Sequence, residues 1–135
     1  MKVEFRPLSD ALGAEVIGID VTDDLSDQKI KEIRAGWLEY NILLFRNQEM
    51  TMEQQRTFTQ RFGILTSSPI SRTRWPDHPD VIVFSNIKVD GEYIGSPPAD
   101  VGEGWHSDFF FLKAPAEGSF FYAKEVPENG GETWF

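Results

Sequence analysis

Helical periodicity appears in only two stretches of this chain and stops near residue 62. Beyond that point apolar residues come in short runs broken by proline and glycine. A chain ordered this way, with helices first and β-type runs after, points to an α+β fold in which the helices flank a strand-rich half. Ser26 is suited to N-cap the first helix, with Asp27 in its first turn and Ile30, Ile33, Trp37 and Tyr40 at helical spacing. That pattern predicts a helix over Asp27–Tyr40, closed by Asn41. The second helix opens on a capping box, Thr51-Met52-Glu53-Gln54. It carries Met52, Gln55, Phe58 and Phe62 on one side and is expected to end with Gly63 at C′.

The remaining segments are short. Val3 to Asp20 reads as two strands around a turn, and Ile42-Leu43-Leu44-Phe45 as a buried strand. Thr66 to Pro79 is expected to be a loop, carrying a basic spot at Arg72 and Arg74. Val81-Ile82-Val83-Phe84 reads as a strand, and Asp90-Gly91 as the turn of a hairpin between Ile87–Val89 and Glu92–Ile94. Gly95 to Gly104 is expected to be irregular. Trp105–Leu112 and Gly118–Lys124 are expected strands, followed by a turn at Pro127–Gly131. Glu132-Thr133-Trp134-Phe135 has the look of a strand just beginning. A domain seldom finishes on two large aromatics, so the expectation is an N-terminal part of a longer domain over residues 1–135.

Composition narrows the chemistry. The 135 residues include no cysteine, which excludes disulfides, thiolate metal sites and cysteine nucleophiles. Thirteen Lys+Arg against 22 Asp+Glu give a net charge of −9, with no basic stripe for nucleic acid. No run approaches the roughly 20 apolar residues of a membrane span, and the N-terminus has no signal-peptide core, so a cytoplasmic location is expected. The aromatics (Phe 11, Trp 4, Tyr 3) suit a bulky core or an apolar-walled pocket.

His106-Ser107-Asp108 is where chemistry concentrates. Side chains at i and i+2 of an extended strand share a face, so one imidazole nitrogen and one carboxylate oxygen can meet a single ion. These are two of the three ligands of the 2-His-1-carboxylate triad that leaves positions open on Fe(II). The plainer alternative is an exposed ion pair at the mouth of a loop. Gly102-Glu103-Gly104-Trp105 leads into the pair, and Phe109-Phe110-Phe111 follows, with Phe120 and Phe121 available as further pocket wall. The other histidine, His78 between Asp77 and Pro79, reads as a solvated loop residue.

Trp105-His106-Ser107-Asp108, Pro115-Ala116, Ala123-Lys124-Glu125-Val126-Pro127 and Gly130-Gly131-Glu132-Thr133 together resemble the TauD/TfdA family of Fe(II)- and 2-oxoglutarate-dependent dioxygenases. Leu12-Gly13-Ala14-Glu15, Gly18-Ile19-Asp20, Leu43-Leu44-Phe45-Arg46-Asn47-Gln48 and Gln60-Arg61-Phe62-Gly63 occur in the family's order upstream. The resemblance implies a double-stranded β-helix (jelly-roll) core with flanking helices, incomplete within these residues. It implies His106 and Asp108 as catalytic metal ligands for Fe(II), and Thr133 as a hydroxyl that binds the co-substrate 2-oxoglutarate. The family's second histidine ligand and its 2-oxoglutarate-binding arginine have no counterpart here. The implied reaction hydroxylates a small, anionic organic substrate with O2, releasing succinate and CO2, and is compatible with a homo-oligomer. Where taurine-oxidising members carry a substrate-contacting histidine, this chain reads Thr66-Ser67-Ser68-Pro69, and an asparagine before the metal histidine is Gly102. Both departures argue against taurine. Ser68, Arg72 and Arg74 remain candidates for meeting an anion. The competing readings are a jelly-roll binding module without iron, a truncated inactive chain acting by association, and a hydrolase using another divalent ion.

Overall fold

The computed structural model describes residues 2–70, 73–97 and 104–135. It divides into two compact units, Met1–Val101 and Gly102–Phe135.

In the first unit, β1 (Glu4–Pro7) and β2 (Ala14–Ile17) form the expected antiparallel pair, Glu4 opposite Ile17 and Pro7 opposite Ala14. The connecting turn is closed by Leu8 N donating to Gly13 O at 2.9 Å. Next comes α1, Asp27–Tyr40, with the bounds its pattern predicts. Ser26 caps it, its hydroxyl accepting from Lys29 N, and Asn41 ends it at φ 63°, a left-handed conformation that asparagine tolerates. The chain then returns as β3 (Leu43–Leu44), parallel to β2, so the helix is the crossover of a β–α–β unit. Only two residues of the expected Ile42–Phe45 strand enter the ladder, and they are half-buried rather than buried. Among the described residues β3 has β2 on one side and no strand on the other, so pairing does not extend it.

The core of this unit gathers Ala14, Val16, Ile19, Val21, Leu25, Ile30, Ile33, Met50 and Phe58. Gly36 faces the Phe5 ring so closely that a Cβ there would overlap the ring carbons. Gln48 ties the loop after β2 to the segment after β3, accepting from Val21 N and donating to Ile19 O and Arg46 O.

Helix α2, Met52–Gln60, has both arms of its capping box: Gln54 N donates to Thr51 Oγ1 and Thr51 N to Gln54 Oε1. Its end differs from expectation. Arg61, in right-handed conformation, is the C-cap, and Arg61 N and Phe62 N bond to Phe58 O and Thr59 O. These i→i+3 bonds tighten the last turn, leaving no left-handed position for Gly63 to fill. Phe58 and Phe62 stack edge to face at 5.1 Å.

The stretch expected to be a loop contains a hairpin. β4 (Arg74–Trp75) pairs with β5 (His78–Ile82) across Pro76-Asp77. The expected strand at Val81–Phe84 is therefore displaced toward the N-terminus and stops at Ile82. Pro79 is tolerated because a two-stranded sheet has outer edges where its absent N–H interrupts no ladder. β6 (Lys88–Val89) and β7 (Glu92–Tyr93) form the hairpin that Asp90-Gly91 signals. Asp90 and Gly91 lie at φ 53° and 88°, as a two-residue primed turn requires.

The second unit has no strand among its described residues. Trp105–Leu112 and Gly118–Lys124 have β-type composition without a ladder, and Pro127–Gly131 is a series of bends. A strand is stable only with hydrogen-bonded neighbours, and these runs have none here. The described residues therefore form an α+β arrangement of small sheets and two helices, and the strands needed to close a barrel are not among them. None of the helices is long and apolar enough to cross a membrane.

Candidate metal-binding pair

His106 and Asp108 converge, though not in the way their spacing suggests. Instead of sharing a strand face, they meet where irregular backbone enters a turn at Asp108–Phe111. Phe109 sits at φ 53°, a costly conformation for a bulky residue, and Leu112 N closes the turn onto Phe109 O at 3.0 Å. Just before this turn, His106 Nε2 lies 3.4 Å from Asp108 Oδ1. Two ligands about 2.1 Å from one ion at a right angle lie about 3.0 Å apart, so the separation of this pair is a few tenths of an ångström wider than that spacing.

The far side of each group is also occupied. His106 Nδ1 lies 2.9 Å from the Gly104 carbonyl, which can only accept, so Nδ1 carries the hydrogen. In the neutral ring Nε2 then offers its lone pair toward a carboxylate oxygen. Two such electron-rich atoms repel unless a cation or a proton lies between them. Asp108 Oδ2 in turn accepts from Ser119 Oγ at 3.3 Å. A ligating histidine whose other nitrogen is held by a carbonyl, and a ligating carboxylate whose other oxygen is hydrogen-bonded, are what outer-sphere support of a metal looks like. Both side chains are more than half exposed, at 53% and 62%. Among the described residues no third His, Cys, Asp or Glu joins them. The residues present fit two ligands of a divalent metal.

The other expected site residues have surroundings of their own. Thr133 is exposed and has no hydrogen bond to either side chain. Phe109 and Phe111 meet edge to face at 6.3 Å, yet Phe110, Phe111 and Phe121 are 62–72% exposed, so they wall no pocket here. Gly102, Glu103 and Arg72 lie outside the described residues. Ser68 is buried, with its hydroxyl engaged by Thr73 Oγ1 and Ile70 N, and Arg74 Nε donates to Ser68 O, so these two groups serve the loop itself. His78 is half-buried on β5, its Nδ1 3.9 Å from Glu53 Oε2, and so is not the solvated loop residue that its neighbours suggested. The Gly104 carbonyl and Ser119 were not legible as partners: one is backbone, and the other lies eleven residues beyond Asp108.

A family model described as "Taurine catabolism dioxygenase TauD, TfdA family" matches residues 4–135. The chain belongs to the TauD/TfdA family. It is 33% identical over 139 residues to an (S)-phenoxypropionate/alpha-ketoglutarate-dioxygenase of Sphingobium herbicidovorans, covering 98% of this chain and 44% of that protein. It is 34% identical over 136 residues to a pentalenolactone F synthase of Streptomyces arenae, covering 98% of this chain and 45% of that protein. The chain thus spans about half the length of the curated relatives it matches. A crystal structure of a taurine dioxygenase from Burkholderia xenovorans superposes with a TM-score of 0.53 at 32% identity, covering 58% of this chain and 28% of that one.

Proposed function

We propose that the protein of which this TauD/TfdA chain forms part is an Fe(II)- and 2-oxoglutarate-dependent dioxygenase acting on a small organic anion. One observation carries the reading: His106 Nε2 and Asp108 Oδ1 approach to 3.4 Å with the outer polar atom of each already engaged. When bound, Fe(II) and 2-oxoglutarate together supply the activation of O2 that converts substrate R–H to R–OH, with 2-oxoglutarate leaving as succinate and CO2. The chain contributes two ligands, His106 through Nε2 and Asp108 through Oδ1. Their charges sum to −1, so they offset half the charge of a divalent ion and leave the rest to attract the dianionic co-substrate. Thr133 is assigned to donate its hydroxyl to a carboxylate of 2-oxoglutarate. The family relationship supports a jelly-roll core for the whole protein, with its apolar interior excluding water from the oxidant.

Relatives that act on (S)-phenoxypropionate make carboxylate-bearing ethers the first substrates to try. The test is substrate-dependent release of succinate from 2-oxoglutarate by the intact protein, across a panel of aryloxyalkanoates, alkyl sulfates and taurine. Succinate formed with an organic anion and Fe(II), and lost in His106→Ala and Asp108→Ala, is the expected outcome. A protein that binds these anions tightly but never consumes 2-oxoglutarate would be a binding module instead.

A further inference from the structure

We infer that Ser119 is a positioning residue for Asp108: its hydroxyl holds Oδ2 and so turns Oδ1 toward His106 Nε2. The inference rests on the metal-binding reading above. An ionised carboxylate only accepts, so the 3.3 Å contact has Ser119 Oγ as donor. Asp108 is 62% exposed, and an exposed carboxylate swings freely unless one oxygen is tethered. With Oδ2 tethered, the remaining oxygen is the one 3.4 Å from the imidazole. The Gly104 carbonyl does the corresponding work on His106, at 2.9 Å from Nδ1. Each ligand is therefore aimed from its far side by a neighbour in its own compact unit. Ser119 is exposed and lies in no helix or strand, so removing its hydroxyl takes away this bond without emptying a core position.

Outer-sphere partners of this kind typically change metal affinity 10–100-fold when removed. The experiment titrates Mn(II), a spectroscopic stand-in for Fe(II), into the intact protein and reads free Mn(II) by electron paramagnetic resonance. It compares wild type, Ser119→Ala, Ser119→Thr and Asp108→Ala. The expected result is affinity about tenfold or more weaker in Ser119→Ala and wild-type affinity in Ser119→Thr, which keeps a hydroxyl. Undiminished affinity in Ser119→Ala overturns the inference while leaving the ligand pair standing, as does equal weakening in both variants, which would mark a packing effect. If wild type and Asp108→Ala bind Mn(II) alike, the ligand assignment itself fails and takes this inference with it.

Discussion

His106 Nε2 and Asp108 Oδ1 face each other at 3.4 Å, and that approach, with the far polar atom of each already held, makes the pair informative. The pair was legible because few residue types bind divalent metals and two of them stand two apart. Their route to one another was not legible, since irregular backbone at His106-Ser107, and not a shared strand face, brings them together. The Asp80 carboxyl shows the same dependence on distant neighbours. Burial pushes its titration up, but hydrogen bonds from Arg56 at 2.7 and 3.3 Å, with the guanidinium charge, more than offset this and hold it below the ordinary carboxylate value. A carboxyl lowered on folding stabilises the native state above its unfolded pKa, and that contribution drains away as pH falls through the folded value. Acid unfolding monitored by circular dichroism should therefore show a component below about pH 4 that Asp80→Asn removes, along with a lower Tm at pH 7. An unchanged acid transition in Asp80→Asn would show that the Arg56–Asp80 pair does not contribute.

At the scale of elements, what was readable divides by the range of the interactions. α1 and α2 were readable to the residue at their starts because Ser26 and Thr51 act on amides three positions away. The β4–β5 hairpin was hidden behind Pro76 and Pro79, and its register comes from pairing, not from alternation along either strand. Gly36 tests how tightly α1 is seated. By helix propensity alone Gly36→Ala should stabilise by about 1 kcal/mol. Because the added methyl would overlap the Phe5 ring, the expected net result is a loss of about 1–3 kcal/mol in denaturant unfolding. A gain in stability would mean that β1 and its Phe5 move aside freely.

For the molecule as a whole, the two units differ in how their backbones are satisfied. Residues 4–93 carry every helix and strand described, whereas residues 104–135 carry none and leave Trp105, Val126 and Trp134 at least 74% exposed. Hydrogen exchange of the 135-residue chain should show protected amides in α1 and β2, and rapid exchange throughout 104–135. Slow exchange across Gly118–Lys124 would instead reveal a ladder there. The strands expected at Trp105–Leu112 and Gly118–Lys124 are absent, because β-type composition does not supply the second segment that a ladder needs, and the relatives extend about as far again as this chain.

The proposed function requires that His106 and Asp108 grip the same ferrous ion. Its most direct test is anaerobic titration of the intact protein with Fe(II) in the presence of 2-oxoglutarate, followed by visible absorption. The expected result is a weak charge-transfer band in the wild type that vanishes in both His106→Ala and Asp108→Ala. A band of full strength in either variant would contradict it.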